Sequence, residues 1–205
     1  MILINRCDFN KNYENGLKYI DFVNDAEKED HIKKYNLYYK RAVLPKYISE
    51  FFSGMTYDVK AIIVSAHWCF DCQVTLPIIE KLREASQGKF DYRLFKKEKH
   101  MQLLDPTNGG EKIPYVILFS QDGYLIDRWI ERPTIIYEYY GELRRKIGWE
   151  TKDFYREYRK GYLQKYSEFN NAIVSDLLDK FKRANAIMST SPRINNSLQM
   201  SIPLG

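Results

Sequence analysis

Two cysteines separated by two residues, Cys69 and Cys72, are the side chains of this sequence best suited to chemistry. Disulfide exchange requires one thiolate that attacks a disulfide and a second thiol that resolves the mixed disulfide. This spacing supplies both thiols. When such a pair opens a helix, the helix dipole and unpaired backbone N–H groups lower the pKa of the first thiol from about 8.5. We therefore predict that Cys69 is the nucleophile and that Cys72 is the resolving thiol.

The residues on either side of the pair predict the helix start that this chemistry requires. Residues 59–64 form a β-branched run that is too short for a buried helix, which predicts a central strand. Residues 70–86 place apolar side chains at helical spacing. His67 and Trp68 stand between the two elements. The predicted order is therefore strand, cysteine turn and helix.

Around this unit, the pattern predicts an α/β protein with a central mixed sheet of about four strands flanked by helices. Further core elements are predicted as strands at 90–95, 115–119 and 124–129, a hairpin turn at 121–123, a short helix at 98–105, a loop at 107–110 and a helix from Pro133. We divide the chain into an N-terminal helical extension at 1–57, a core at 58–147, a C-terminal amphipathic helix or helices at 148–188 and a flexible tail at 189–205.

Both flanks show apolar residues at helical spacing. In the N-terminal extension one repeat runs over residues 9–23 and includes Leu17. In the C-terminal segment an apolar stripe runs over residues 154–181, with 170–171 as a candidate break. This stripe suits packing either on the domain itself or on a second copy of the chain. The second case predicts a homodimer formed through the C-terminal helix.

Composition argues against several functions. The formal net charge of +5, from 32 Lys and Arg against 27 Asp and Glu, is too small for a nucleic-acid-binding arm. No segment approaches the ~20 apolar residues that span a bilayer, and no signal peptide is predicted. Three cysteines do not make a disulfide framework, which favours a reducing compartment and hence the cytoplasm. We expect no nucleic-acid or membrane partner, and we interpret Cys7 as a passive residue.

The motif resembles the active site of the thioredoxin family. The segment 66–72, with Trp68 directly before the first cysteine, is followed by Pro77, where that family kinks this helix. Ile113 and Pro114 stand where the family has a cis peptide bond beside the cysteines. The resemblance covers about residues 58–147.

The resemblance implies a thioredoxin-like fold and thiol-disulfide oxidoreductase activity. The charge of Asp71 between the cysteines disfavours the thiolate and hence favours reduction of protein disulfides as the direction. It further implies that Trp68, Ile113 and Pro114 shape the substrate groove. No organic cofactor is required. The implied partners are protein disulfide clients and an electron-donor reductase.

Three departures from the family pattern bear on mechanism. Ile63 occupies the position where thioredoxins usually bury an aspartate, so proton handling must differ. Asp71 lies between the cysteines, where its charge disfavours the thiolate, and a protonated His67 would offset it; we predict that both residues tune the thiols. The segment 131–133 places charges where the family has a small residue, which predicts a charged rim and a narrower or different client range.

Two other functions remain open at this point. His67, Cys69 and Cys72 offer three ligands of a structural zinc site, which needs four, although we predict no metal. Alternatively, the fold is a non-enzymatic binding module whose added helices grip a partner.

Overall fold

The computed structural model of the protein describes residues 9–104, 111–148 and 152–195. Its helices are α1 (Phe9–Tyr13), α2 (Tyr19–Asn24), α3 (Glu29–Arg41), α4 (Ile48–Ser53), α5 (Phe70–Ala85), α6 (Thr134–Ile147), α7 (Lys152–Gln164) and α8 (Tyr166–Ser189). Its strands are β1 (Val59–Ser65), β2 (Phe90–Lys96), β3 (Tyr115–Phe119) and β4 (Leu125–Ile130).

The four strands form one sheet in the order β2-β1-β3-β4. β1 pairs in parallel with β2, whereas the β1–β3 and β3–β4 pairs are antiparallel. A connection between parallel strands requires a crossover, and α5 provides it between β1 and β2. β3 and β4 form the predicted hairpin, with Gly123 at φ 82° in its turn. The predicted mixed sheet of about four strands, flanked by helices, is confirmed.

The repeat over residues 9–23 forms two helices rather than one. Between them, Leu17 exchanges both backbone hydrogen bonds with Leu94 of β2, at 2.9 and 2.8 Å. This short antiparallel pairing covers part of the β2 edge, which would otherwise present unpaired N–H and C=O groups. The chain approaches closely because residue 16 is glycine: a Cβ there would lie 2.5 Å from the ring of Phe95. The tertiary pairing overrides the local helical pattern.

The C-terminal apolar stripe packs on its own domain. α8 lies across β4 and β1 and against α5. Trp129 of β4 donates a hydrogen bond from its indole nitrogen to Asp176 at 2.7 Å. The stripe is interrupted at Lys165, between α7 and α8, and not at the predicted 170–171. Asn170 instead lies within α8, where it is buried and donates a hydrogen bond to the backbone carbonyl of Val43 at 2.9 Å.

Other boundaries also differ from those predicted. The short helix predicted at 98–105 is instead two 3₁₀ turns, Lys97–Lys99 and Met101–Leu103. The flexible tail predicted from Ser189 is wrong as far as residue 195, because Ile194 is buried and Asn195 accepts a hydrogen bond from the Tyr57 hydroxyl at 2.6 Å. Cys7, the predicted loop at 107–110 and the rest of the tail lie outside the described residues. None of the described helices is both long and apolar enough to cross a bilayer.

The burial of α8 predicts a large loss of stability when its central aromatic residue is truncated. Phe181 packs edge-on against Phe52 of α4 and Phe90 of β2, with ring centroids 5.4 and 4.6 Å away. We expect Phe181→Ala to lower the free energy of unfolding by about 3–5 kcal/mol in urea titrations. Ile187, on the same helix but 39% exposed, is the matched control. We expect Ile187→Ala to change the free energy of unfolding by less than about 0.5 kcal/mol. Equal losses for the two variants would contradict this packing.

Candidate functional site

The cysteine pair opens α5, as the sequence predicts. β1 ends at Ser65, and a short turn leads to Cys69, which is the N-cap residue of the helix. The Cys69 sulfur accepts a hydrogen bond from the backbone N–H of Cys72 at 3.4 Å. Cys72 is fully buried, whereas Cys69 is 8% exposed, and both are free thiols. The first sulfur is therefore the accessible one.

The predicted proline lies directly opposite the nucleophile. The Ile113–Pro114 peptide bond is cis, and the carbonyl of Ile113 accepts a hydrogen bond from the Cys69 thiol at 3.6 Å. Pro114 is buried, and its own carbonyl accepts from the N–H of Glu131 at 2.8 Å. A disulfide that lies against Ile113 is therefore within reach of the Cys69 sulfur.

The two residues before the motif have different surroundings. Trp68 is 58% exposed, and its indole N–H donates to the Glu98 carboxylate at 2.7 Å. The Nε2 of His67 donates to the backbone carbonyl of Phe22 at 2.8 Å, and its ring lies 4.3 Å from the ring of Phe22. Trp68 thus presents an apolar surface to the solvent, while the hydrogen bond of His67 joins the motif to the N-terminal extension. The tuning role of His67 stays a prediction.

Asp71, the charged residue between the cysteines, is buried in an ion pair. One of its carboxylate oxygens lies 2.8 Å from the guanidinium of Arg132, which is 8% exposed. The other oxygen accepts a hydrogen bond from the Tyr158 hydroxyl of α7 at 3.1 Å. The guanidinium also lies over the ring of Tyr140 at 4.7 Å. A residue of the motif is thus held by the loop after β4 and by the C-terminal helices.

The charged residues predicted to form a rim at 131–133 do line the cleft, but their charges are paired with one another and with neighbouring groups. Glu131 adopts φ 60°, a left-handed conformation uncommon for a residue with a side chain, at the sharp turn between β4 and α6. Its carboxylate binds Arg132 at 2.6 Å, Lys112 at 2.7 Å and the Tyr137 hydroxyl at 2.7 Å. Together with Asp71, two carboxylates meet two cations. These four side chains therefore carry no net charge together.

The pKa directions follow from this burial. Burial raises the pKa of Asp71, against the lowering effects of Arg132 and of the hydrogen bond from Tyr158. Burial acts in the same direction on Glu131, but the charge of Arg132 and the hydrogen bond from Lys112 outweigh it, and the pKa of Glu131 is lowered.

The surroundings of Cys69 favour its neutral thiol. The hydrogen bond with the Cys72 thiol raises the pKa of Cys69 well above its ordinary value, followed by burial and by the charges of Cys72 and Asp71. The hydrogen bond from the Cys72 backbone N–H acts in the opposite direction but does not prevail. This result reverses the lowering expected from the helix position alone, and it agrees with the expectation that Asp71 disfavours the thiolate.

A cleft of about 720 Å³ opens above the cysteine pair. Its lining includes Trp68, Cys69, Asp71 and Ile113 together with Tyr155 and Arg159 of α7. The predicted residues Trp68 and Ile113 therefore share one surface with the nucleophile. Lys97, Glu111 and Lys112 also line the cleft, so it presents aromatic and mixed charged groups to a bound segment.

Metal binding by the cysteines finds no support in the arrangement of the side chains. In the part of the chain that the structure describes, no three His, Cys, Asp or Glu residues are grouped to hold a metal ion. His67 directs Nε2 to the Phe22 carbonyl. His67, Cys69 and Cys72 are therefore neighbours in sequence without forming a ligand set.

Sequence reasoning missed the partners that hold Asp71. The sequence pattern predicts Arg132 as part of a charged rim and Tyr158 as one apolar position in a helical stripe. An aspartate within an otherwise apolar helix start is the signal that points to a buried counterion, because an ionised carboxylate is costly to bury without one. The sequence alone does not say which of many arginines fulfils this role.

Comparison with known proteins identifies the family. A family model described as Thioredoxin matches residues 16–144, more than half of the chain, so the protein belongs to the thioredoxin family. A search of curated proteins gave no match. The structure is similar to the crystal structure of a protein of unknown function from Pseudomonas aeruginosa, with a TM-score of 0.65 and 14% identity, over 86% of this chain and 98% of that one.

A second similar structure is an HIV epitope scaffold, with a TM-score of 0.61 and 15% identity, over 85% of this chain and 98% of that one. At such identities the likeness shows the fold alone. Because each match covers more of the chain than residues 16–144, the shared fold includes parts of the helical flanks.

The raised pKa of Cys69 predicts how its alkylation depends on pH. We expect the rate of iodoacetamide labelling at Cys69, followed by mass spectrometry, to keep rising above about pH 8.5, the ordinary value for a thiol. Asp71→Asn removes a nearby negative charge, so its profile should shift toward lower pH. Asp153→Asn, at an exposed carboxylate of α7, should leave the profile unchanged. A wild-type plateau below pH 7 would show that the thiolate is already favoured.

The buried ion pair predicts a strong effect of removing its cation. Arg132→Met leaves the Asp71 carboxylate buried without a counterion, and we expect the free energy of unfolding to fall by about 3–5 kcal/mol. Arg159→Met is the matched control, because Arg159 is an exposed arginine of the same cleft and should change stability by less than about 0.5 kcal/mol. Chemical denaturation at pH 7 measures the free energy of unfolding of both variants. An Arg132→Met variant as stable as the wild type would refute the pairing.

Proposed function

We propose that this protein is a thiol-disulfide oxidoreductase that reduces disulfides of client proteins through Cys69 and Cys72. The observation that carries the proposal is the position of the Cys69 sulfur. It sits at the start of α5, accepts a hydrogen bond from the backbone of its resolving partner, and faces Ile113 and the cis bond on the floor of an open cleft.

The reaction uses two displacements. The Cys69 thiolate attacks one sulfur of a client disulfide, so a Cys69–client disulfide forms, the client S–S bond breaks, and the other client sulfur leaves as a thiolate. Cys72 then attacks the Cys69 sulfur, so the intramolecular disulfide forms and the second client thiolate leaves. The client gains two electrons and two protons, and the protein loses them. A thiol-dependent reductase is the partner that must restore the dithiol.

The electrostatics support the direction toward reduction. The negative charge of Asp71 disfavours the thiolate of Cys69. A disfavoured thiolate makes the reduced protein less stable relative to its disulfide form. A pair that prefers the disulfide gives its electrons to clients. A reducing compartment, which we take to be the cytoplasm, would then keep it supplied with electrons.

The side chains around the nucleophile have binding roles in this proposal. Trp68 presents an exposed indole, and its hydrogen bond to Glu98 fixes the ring orientation. Ile113 offers its backbone beside the cis bond to an extended client segment. The neutral network around Arg132 adds no net charge to the cleft, whose remaining charged groups are Lys97, Glu111 and Arg159.

A binding module without turnover is the second candidate. The observation that favours it is the burial of both sulfurs, which limits access to a bulky disulfide. Such a module would retain its partner after Cys69→Ser, whereas an exchanger loses turnover.

Trapping of the mixed disulfide tests the proposed roles. With oxidised glutathione as the probe, we expect Cys72→Ser to accumulate glutathione on Cys69, because no resolving thiol remains, and the wild type to form the Cys69–Cys72 disulfide instead. Cys69→Ser should accumulate no adduct at Cys72, which is fully buried. Intact-protein mass spectrometry distinguishes the three results. Equal adducts on both single variants would reject the assigned order.

Redox titration tests whether Cys69 and Cys72 form a reversible disulfide. Equilibration with graded glutathione buffers should give a two-electron transition with a midpoint within the cytosolic range, roughly −320 to −220 mV. Exposed Trp68 fluorescence and thiol alkylation report the two states independently. A chain that shows no transition in this range is better described as a binding module.

A further inference from the structure

The cleft above the cysteine pair is lined by three carboxylates and four cations, and all but one of these charges are paired with one another. The pairs are Asp71 with Arg132 at 2.8 Å, Glu131 with Arg132 at 2.6 Å and with Lys112 at 2.7 Å, and Lys97 with Glu111 at 3.5 Å. Among the residues that the structure describes, no carboxylate forms an ion pair with Arg159. The excess positive charge of the cleft therefore belongs to Arg159.

Arg159 lies close to the nucleophile. Its guanidinium lies over the ring of Phe70, 5.6 Å from the ring centroid, and Phe70 directly follows Cys69 in the chain. Phe70 is itself held in place, because the rings of Tyr158 and Tyr162 pack edge-on against it at 5.7 and 5.1 Å. A guanidinium on a ring face still directs the N–H donors of its edge outward. Arg159 can therefore bind an acceptor carried by a client.

The exposed aromatic side chains of the cleft suit a peptide segment. Tyr155 stands one helical turn before Arg159 on α7, is 56% exposed and lines the same cleft. Trp68, at 58% exposed, lines it beside the nucleophile. The volume of about 720 Å³ falls within the range of ligand-binding clefts. A client segment that occupies the cleft thus meets aromatic surface and one cation without a partner.

We propose that Arg159 selects client proteins in which an acidic residue neighbours the reacting cysteine. This inference rests on the proposed function and names its class of client. The planar guanidinium matches the two oxygens of a carboxylate, and Arg159 lies over the residue next to Cys69, so the carboxylate that it binds lies close to the client disulfide. Arg159 transfers no proton or electron. It determines specificity, while the two displacements proceed as described above.

The test uses three short synthetic peptides, each with one cysteine activated as a 2-pyridyl disulfide. The two residues that flank the cysteine are both glutamate, both glutamine or both lysine. The Cys69 thiolate attacks the peptide sulfur, the Cys69–peptide disulfide forms, the bond to the pyridyl sulfur breaks, and pyridinethiolate leaves and takes a proton from the buffer. Its absorbance in stopped-flow mixing gives the rate of the first displacement, and Cys69→Ser gives the background from other thiols.

For the wild type we expect the glutamate peptide to react about two- to five-fold faster than the glutamine peptide, the size of effect that exposed ion pairs have. The lysine peptide should be the slowest. Arg159→Gln should remove the preference for glutamate and leave the rate of the glutamine peptide unchanged. Arg159→Lys should restore part of the preference, because it returns the charge without the planar fork. Added salt should weaken the preference of the wild type.

Arg156→Gln is the matched control. Arg156 is an exposed arginine of the same helix, is paired with Asp153 and Glu157, and is not among the residues that line the cleft. The variant lowers the net charge of the protein by the same amount as Arg159→Gln. It should keep the wild-type preference. Equal loss of the preference in both variants would overturn the inference, because it would indicate a long-range effect of net charge.

The outcomes separate this inference from the proposed function. If the wild type reacts no faster than Cys69→Ser with any peptide, the exchange function itself fails. If the wild type reacts well but shows no preference among the three peptides, the function stands and Arg159 does not select clients. An unchanged preference in Arg159→Gln would lead to the same conclusion.

Discussion

The buried charge of Asp71 is the constraint on which the rest of the site depends. A carboxylate placed in the first turn of α5, beneath a cleft, requires a cation and further hydrogen bonds, since an unpaired buried charge would cost several kcal/mol. Arg132 and Tyr158 supply them. The left-handed turn at Glu131 is what aims the guanidinium inward, so the strained backbone and the ion pair belong to one arrangement.

This requirement also explains why the C-terminal helices are part of the domain. Tyr158 of α7 donates a hydrogen bond to Asp71, and other residues of α7 line the cleft. α8 packs on the sheet and completes the core. A chain that ended after α6 would leave the Asp71 carboxylate without one of its hydrogen bonds. It would also expose the apolar faces of β4 and α5 that α8 covers. Stability and site geometry are therefore coupled through the same two helices.

Much of the fold and the centre of the site could be predicted from local pattern. β1 and α5 are short, strongly patterned elements, and the cysteines fall between them, so the helix start at Cys69 follows from neighbouring residues. The Ile113–Pro114 pair is equally local. The helical prediction for Leu17 is wrong because Leu17 pairs with Leu94, a residue far away in the chain. The spacing of neighbouring apolar residues does not indicate such a long-range contact.

The partners of Asp71 could not be predicted for the same reason. Arg132 and Tyr158 come from two separate segments, and each has a sequence context typical of an ordinary surface or core position. Their roles arise from burial, which sequence pattern indicates only coarsely for polar residues. A charged or hydroxyl-bearing side chain in a site is identified once its depth and its neighbours are known.

The two helical flanks therefore act on opposite ends of the same motif. The N-terminal extension binds His67 through the backbone carbonyl of Phe22, and the C-terminal helices bring the Tyr158 hydroxyl to Asp71, next to Cys69. The Tyr158 hydroxyl donates without adding charge, which matters because a further carboxylate at this place would raise the pKa of Cys69 again. A core with Ile63 in place of an acid and Asp71 between the cysteines needs neutral donors from outside the core. The added helices are where such donors are available.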